Sequence, residues 1–578
     1  MKSHNRFFAS HFERPKLIFR TWFLFSALVL DSACFAQSSF QFVDRREESG
    51  IVSKHYVDET EPWLPRLMVA GVATFDYDGD GALDLFLPSQ PLPFPTDSQA
   101  VIQPADYRGN RLYRNLGDAR FVDVTHVSKL TSQSHTLGVV AGDLDHDGDQ
   151  DLVLNNWGGV ELFLNQGEGT FEKATLTQTP QNPLPSKNAL LFGAGICLID
   201  VENDGDLDIF AANYVRFTTE AYRLLAPRSG PYPPGPKDFD PMPNTLWLND
   251  GEGRFVDRSA ELGISHIAGP SMGIIAGDWD DDGYSEVFLC SDAAPNQLLV
   301  NASGKVFTDD AILHGVAFDV TGSANGSMGV DAGDIDNDGL EDLLISNYTG
   351  QTPVHYRNLG GGLFEDVSRR SRVGSTLLAQ TNWGVGLVDF DHDGDLDAFF
   401  ANGHFLREIE KTDDRTRFRE TNTIMRNDGH GRFEDLSRKA GPGLQIKESS
   451  RGAAFDDLDS DGDIDILILN ASSYPTLLIN ESTLTGGWLK VRLIGKQSNR
   501  DGIGAQVIVE GRQRIVRFAR AGRGYQSHFG TTLHFGLPNT KEVPKVKVRW
   551  PSGKTESYPI DYINFQLTCI EGNGTADR

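Results

Sequence analysis

A chain of 578 residues that is 39% hydrophobic holds apolar material for more than one core, and its net charge of −28 excludes nucleic acid as a natural partner. The charge is uneven: residues 37–485 carry 72 acidic against 33 basic groups, whereas residues 486–578 carry 7 against 15. With 60 glycines, only 6 methionines and many short apolar runs bounded by Gly, Asn and Asp, the composition excludes a helical protein and predicts an all-β one.

At the N-terminus, Lys2, Arg6, Arg14, Lys16 and Arg20 precede an uncharged stretch from Thr21 to Leu30. That stretch is too short to span a bilayer, and Cys34 and Ala36 put small residues at the −3 and −1 positions of a cleavage site. Residues 1–36 therefore read as a signal peptide, which leaves no transmembrane segment after cleavage and predicts a secreted, periplasmic or cell-surface protein. A lipoprotein cysteine at Cys34 is the alternative, against which Asp31 sits where such a signal wants an aliphatic residue. Cys197, Cys290 and Cys569 remain, an odd number read as small buried hydrophobes; a Cys197–Cys290 disulfide is compatible with the sequence but not implied by it.

From Phe40 onward the chain is a repeat array. A nine-residue loop recurs seven times, beginning at Asp76, Asp143, Asp200, Asp278, Asp334, Asp389 and Asp457. Position 3 is Asp78, Asp145, Glu202, Asp280, Asp336, Asp391 and Asp459; position 5 is Asp80, Asp147, Asp204, Asp282, Asp338, Asp393 and Asp461. Position 6 is always glycine, and position 9 is Asp84, Asp151, Asp208, Glu286, Asp342, Asp397 and Asp465. Carboxylates at this spacing, with a glycine for the sharp turn, wrap a hard oxygen-seeking cation such as Ca²⁺, giving up to seven ions. Position 7 drifts through Ala82, Asp149, Asp206, Tyr284, Leu340, Asp395 and Asp463, as expected of a ligand that coordinates through its main-chain carbonyl. Position 12 is apolar in every copy, which excludes an EF-hand and places the loop between two strands. The longer Glu202 and Glu286 mark the third and fourth copies as the weakest sites.

A second motif follows each loop, as in Asn115-Leu-Gly117 to Phe121-Val-Asp123 and Asn249-Asp-Gly251 to Phe255-Val-Asp257. Asn-x-Gly between apolar runs is a hairpin signal, so each repeat supplies four strands, the unit of a β-propeller. The seventh copy stops at Asn480 without its Phe strand, and Phe40-Gln-Phe42-Val-Asp44 has no Asp loop before it. These halves are expected to complete one blade and close a seven-bladed ring, leaving no open edge.

The repeats resemble FG-GAP/VCBS repeats, whose integrin α-subunit members form calcium-bearing seven-bladed propellers. Trp488-Leu-Lys-Val, Ser498-Asn-Arg-Asp501-Gly-Ile-Gly504, Gly522-Arg-Gly524-Tyr-Gln-Ser527 and Trp550-Pro-Ser-Gly553 resemble the ASPIC/UnbV domain. Together they are similar to the cartilage-acidic-protein family and its bacterial relatives. The resemblance implies a secreted calcium-binding protein with no agreed reaction, divided into a propeller over 37–485 and a small β domain over 486–578.

The basic C-terminal segment, with Arg512, Arg514, Arg517, Arg520 and Arg523, is expected to dock on its acidic neighbour; binding of an anion is the alternative. No His-Glu-x-x-His or nucleotide loop occurs, so no catalytic residue is assigned, and His404 and His528 read as structural. The favoured function is a calcium-stabilised binding or adhesion module; the alternative is an extracellular or periplasmic calcium-dependent enzyme acting on polysaccharide. Long insertions after the second strands, at 88–110, 214–243 and 403–423, are expected on the face opposite the Asp loops. There Phe94, Tyr107, Tyr222, Tyr232, Phe239, His404, Phe405 and Arg407 are the candidate contacts for an extracellular protein or glycan.

Overall fold

The computed structural model describes residues 40–57, 62–90, 109–178 except 131 and 133, 190–374 except 230 and 231, 376–538 except 485, and 541–576 except 542. The expected signal peptide at 1–36, Phe94 and Tyr107 lie outside the described residues.

Each repeat folds into an antiparallel sheet whose strands are hydrogen-bonded in chain order. In the fifth, Ser327–Gly333 runs into the Asp loop, Asp342–Asn347 leaves it, Val354–Asn358 ends at the turn asparagine, and Phe364–Asp366 carries the phenylalanine. The third sheet gains a fifth strand, Leu176–Thr177, which pairs in parallel with Phe255–Asp257. The last sheet takes its outer strand from the other end of the chain: Phe42–Asp44 pairs antiparallel with Thr476–Asn480, Val43 opposite Ile479.

The first strand of each sheet packs beside the first strand of the next, and Ser450–Asp456 of the last sheet reaches Ala73–Phe75 of the first. One residue type makes this convergence tolerable. The fifth residue before every Asp loop is glycine: Gly71, Gly138, Gly195, Gly273, Gly329, Gly384 and Gly452. A Cβ on Gly138 would stand 2.1 Å from the Ala194 carbonyl oxygen and one on Gly329 2.5 Å from that of Trp383, so no other residue lets the innermost strands approach this closely. The strands themselves are buried on both faces, and their Val, Ile, Leu and Phe side chains fill the layers between successive sheets. Each such side chain contributes about 1.5–3 kcal/mol on full burial.

Residues beyond 486 form a three-stranded and a five-stranded sheet around their own core of Leu489, Val507, Phe535, Val546 and Trp550. They pack with the repeats into one unit, Ser38–Arg578. From this part, residues 519–530 enter the middle of the convergent first strands. Leu198 N–H donates to Ala521 O at 3.1 Å, Val330 N–H to Gly524 O at 3.0 Å, Val139 N–H to Gln526 O at 3.2 Å and Thr74 N–H to His528 O at 3.1 Å. Four different sheets thus spend inner-strand donors on one C-terminal loop. At its tip Tyr525 is fully buried against Trp383 (ring centroids 5.2 Å apart), which in turn lies 4.4 Å from the buried Arg451 guanidinium.

Candidate metal centres

Each Asp loop is folded by its own backbone N–H groups. In all seven, the position-1 carboxylate accepts from the glycine N–H at position 6 at 2.9–3.1 Å. The position-5 carboxylate accepts from the N–H of position 7 at 2.8–3.1 Å. Position 4 adopts the left-handed conformation in every copy, from Asn203 at φ 55° to Gly79 at φ 72°, which turns successive carboxylates to one side.

The arrangement leaves oxygen atoms over. Oδ1 of Asp76, Asp143, Asp334, Asp389 and Asp457 is buried and has no hydrogen-bond partner, as is Oδ1 of Asp78 and Asp336. A buried unpaired carboxylate oxygen is costly unless a cation meets it. Ligand atoms of Asp76, Asp78 and Asp84 lie within 4.8 Å of one another, as do those of Asp143, Asp145 and Asp151, of Asp278, Asp280 and Asp282, of Asp334, Asp336 and Asp338, and of Asp389, Asp391 and Asp397. Burial pushes Asp143 and Asp334 up to about 7, with neighbouring carboxylates adding to the rise. These donor sets fit a hard divalent cation.

The loops are not equivalent. In the third and fourth, position-1 Oδ1 has turned to accept the N–H of position 5, Asp200 from Asp204 and Asp278 from Asp282, both at 3.1 Å. These are the two copies that carry a glutamate at position 3 or position 9. In the first and fifth, an arginine of the third strand straddles two ligand carboxylates: Arg114 is ion-paired with Asp78 at 2.7 Å and donates to Asp80 at 2.8 Å, and Arg357 is ion-paired with Asp336 at 2.5 Å and donates to Asp338 at 2.9 Å. Side chains at position 7 are spent on the preceding loop instead: Asp206 meets His146 at 2.9 Å and Asp395 accepts from Asn337 at 2.8 Å.

Position 9 has a further duty that its spacing does not reveal. Its carboxylate accepts the N–H of position 2 at 2.8–3.3 Å in every copy. In six copies its second oxygen accepts the N–H of the turn asparagine at 2.7–2.9 Å. The exception is Glu286, whose Oε1 is left unpartnered. The asparagine then reaches across to the previous repeat, donating through Nδ2 to the position-2 carbonyl there: Asn165 to Tyr77 (2.8 Å), Asn249 to Leu144 (2.8 Å), Asn301 to Val201 (3.0 Å), Asn427 to Ile335 (2.7 Å) and Asn480 to Phe390 (3.2 Å). Asn115 of the first sheet does the same to Leu458 of the last, at 2.9 Å. The turn asparagines are therefore staples between neighbouring loops, a role signalled in sequence only by their fixed recurrence.

The C-terminal sheets lie over these loops. Lys490 donates to Asp457 at 2.6 Å, Arg549 to Asp281 at 2.6 Å and Arg517 to the Gly394 carbonyl at 3.2 Å, while Asp501 accepts the Asp143 N–H at 2.8 Å. Arg520 pairs with Glu341, and Arg523 with Asp331, both buried. The basic residues at 517, 520 and 523 thus face the acidic repeats.

The insertions at 214–243 and 403–423 leave from the other ends of the strands. Tyr222 and Phe239 are withdrawn into an aromatic cluster with Phe217, Trp157 and Trp63. His404 is buried as well, its Nε2 2.7 Å from the Tyr348 hydroxyl and its ring stacked on Phe405. Tyr232 and Phe405 stay half-buried and Arg407 exposed. Cys197, Cys290 and Cys569 are free and buried, and among the described residues no helix is long and apolar enough to cross a membrane.

Residues 100–154, 143–211, 278–345 and 334–400 match the FG-GAP-like repeat, and residues 495–576 match ASPIC and UnbV. Cartilage acidic protein 1 of Mus musculus is 24% identical over 512 residues, covering 86% of this chain and 72% of that protein; its Homo sapiens counterpart is 24% identical over 513 residues, covering 85% and 70%. Among solved structures, a Burkholderia pseudomallei lectin aligns at TM-score 0.39 with 10% identity, over 72% of this chain and 99% of its own. A Bacillus licheniformis rhamnogalacturonan lyase aligns at 0.37 with 11% identity, over 76% and 75%.

Proposed function

Since the chain carries FG-GAP-like repeats and a C-terminal ASPIC and UnbV domain, and is a distant homologue of cartilage acidic protein 1, we propose that it is a secreted, periplasmic or cell-surface binding module stabilised by calcium. In this reading residues 1–36 are a cleaved signal peptide, 37–485 a closed seven-bladed propeller, and 486–578 a β domain docked on its loop face. The observation that carries the reading is the set of buried position-1 oxygens left without a partner once the loop has hydrogen-bonded itself. Seven ions would be held by positions 1, 3, 5 and 9 and the position-7 carbonyl.

The ligand face is the one opposite the loops, where Tyr232, Phe405 and Arg407 stand on insertions held by a rigid scaffold. An extracellular protein or glycan is the expected partner. The test is a melting curve and a glycan-array screen, each in excess calcium and in EDTA. Chelation is expected to lower the melting temperature by more than ten degrees, on the order of several kcal/mol, and to abolish binding. Identical melting in the two conditions overturns calcium as the stabiliser; binding that survives shortening of 403–423 overturns the ligand face.

A further inference from the structure

A cavity of about 330 Å³ lies among the third, fourth and fifth loops and the C-terminal sheets, with Asp200 and Asp278 also in its walls. Its origin can be read in the repeat. Position 8 is apolar in four copies, Leu83, Leu207, Leu396 and Ile464, and the last three are buried. Leu396 fills the space beside Gly333, and Leu207 that beside Gly142. In the fourth and fifth copies position 8 is Ser285 and Glu341, and both line the cavity. The plug is missing where two adjacent copies depart from the pattern.

The walls carry chemistry found at no other loop. Trp279 at position 2, where the other copies have Tyr, Leu, Val, Ile or Phe, has its indole N–H buried without a partner. Arg520 pairs with Glu341 through Nη2 and keeps Nε and Nη1 without partners. Arg549, half-exposed and paired with Asp281 at 2.6 Å, lines the same space, as does Trp550. Unpartnered donors call for acceptor lone pairs, and two arginines beside an indole suit a carboxylate on an apolar-faced ring. The carboxylate–arginine pairs at Asp281 and Glu341 offer acceptors for hydroxyl groups. The volume falls in the range of small-ligand sites, about 300–1,000 Å³, and accommodates one sugar residue.

We propose that this cavity is a second binding site, separate from the opposite face, for a sugar acid: a polyhydroxylated ring bearing a carboxylate. The acid end meets Arg520 and Trp279, and the hydroxyl groups meet the paired carboxylates.

The test is titration calorimetry of the full chain in calcium buffer with D-glucuronate, and with D-glucose and acetate as partial probes. Glucuronate is expected to bind at least about tenfold more tightly than either. Ser285→Leu, which restores a residue that other copies use, is expected to keep the melting temperature and weaken binding more than about tenfold. Trp279→Phe keeps an aromatic ring of the kind the sixth copy has at this position, removes the N–H and is expected to weaken binding severalfold. Saturable glucuronate binding that is unchanged in both variants overturns the site. Equal affinity for glucose overturns the acid, and no saturable binding of any probe leaves the cavity as a water pocket and overturns the proposal. Shortening 403–423 leaves the expected result unchanged, so failure here is distinct from failure of the opposite-face reading.

Discussion

Arg523 donates from Nε and Nη2 to the two carboxylate oxygens of Asp331, both at 2.7 Å, in the middle of the converging first strands. Asp331 is fully buried and also accepts the N–H groups of Ala332 and Leu387, so each of its oxygens holds one guanidinium and one backbone donor. A cation delivered from the far end of the sequence neutralises an acid that the repeat could not otherwise bury. Removing one partner strands the other charge. Asp331→Ala is expected to cost about 3–5 kcal/mol in urea unfolding, and the double change Asp331→Leu with Arg523→Met markedly less than the sum of the single changes. Simple additivity would rule out the pairing as the cause.

Calcium binding should release protons. Burial raises Asp84 to about 8, Asp143 and Asp334 to about 7, and Asp151 and Glu286 to about 9 in the metal-free fold, so near pH 7 Asp143 and Asp334 are about half protonated and the other three mostly so. Metal ligands must be ionised. Calorimetry in buffers of different ionisation enthalpy is expected to show net proton release at pH 7 that shrinks towards pH 9. Heats that do not depend on the buffer would contradict it.

Loop inequality predicts a ranking. Asp336→Asn, in a loop whose position-1 and position-3 oxygens are both unpartnered, is expected to lower the melting temperature in calcium by several degrees. Asp280→Asn, in the loop where Asp278 has already turned to Asp282, is expected to change it by less than half as much. The reverse order would show that hydrogen bonding within the loop does not set occupancy.

Acid should destabilise the fold even in saturating calcium. Burial depresses His55, His404 and His528 to about 3, so each binds a proton in the unfolded chain below about 6.5 but not in the folded one. Their contribution is complete above pH 6.5 and is lost as pH falls towards 3. Each should add up to about 1.4 kcal/mol per pH unit to the slope of unfolding free energy. His404→Phe, which keeps a ring between Tyr348 and Phe405, is expected to reduce that slope by about one such increment. An unaltered slope between pH 4 and 6 would exclude it.

The strands and the loops were legible because short apolar runs bounded by Gly, Asn and Asp, and a fixed carboxylate spacing, are local signals, and local signals survive in one sequence. Joining Phe42–Asp44 to Thr476–Asn480 was legible too, since a missing strand at one end matched a spare one at the other. What was not legible depends on neighbours. The glycine five residues before each loop recurs seven times, yet its reason is a backbone in the next sheet, 2.1 Å from a Cβ on Gly138. The asparagines looked like turn formers, while their Nδ2 groups bond carbonyls some 90 to 340 positions away, as Asn165 does to Tyr77 and Asn115 to Leu458. Arg114 and Arg357 gave no sign, because a lone arginine on a strand has no pattern. Tyr222, Phe239 and His404 were expected as ligand contacts and are instead buried, since large aromatic groups on long insertions find one another before they find a partner.

The pairing of Phe42–Asp44 with Thr476–Asn480 also fixes an order of events. Arg45 and Glu481, which form an ion pair across that join, are 436 positions apart. At roughly 5–20 residues per second of synthesis, the first strand to emerge waits about 20–90 s for its partner. Until then the first strand has no partner, and the C-terminal loop that fills the centre arrives later still. The molecule is therefore most prone to aggregate while it is being made, and its yield in a host should follow holdase capacity more closely than the stability of the finished fold.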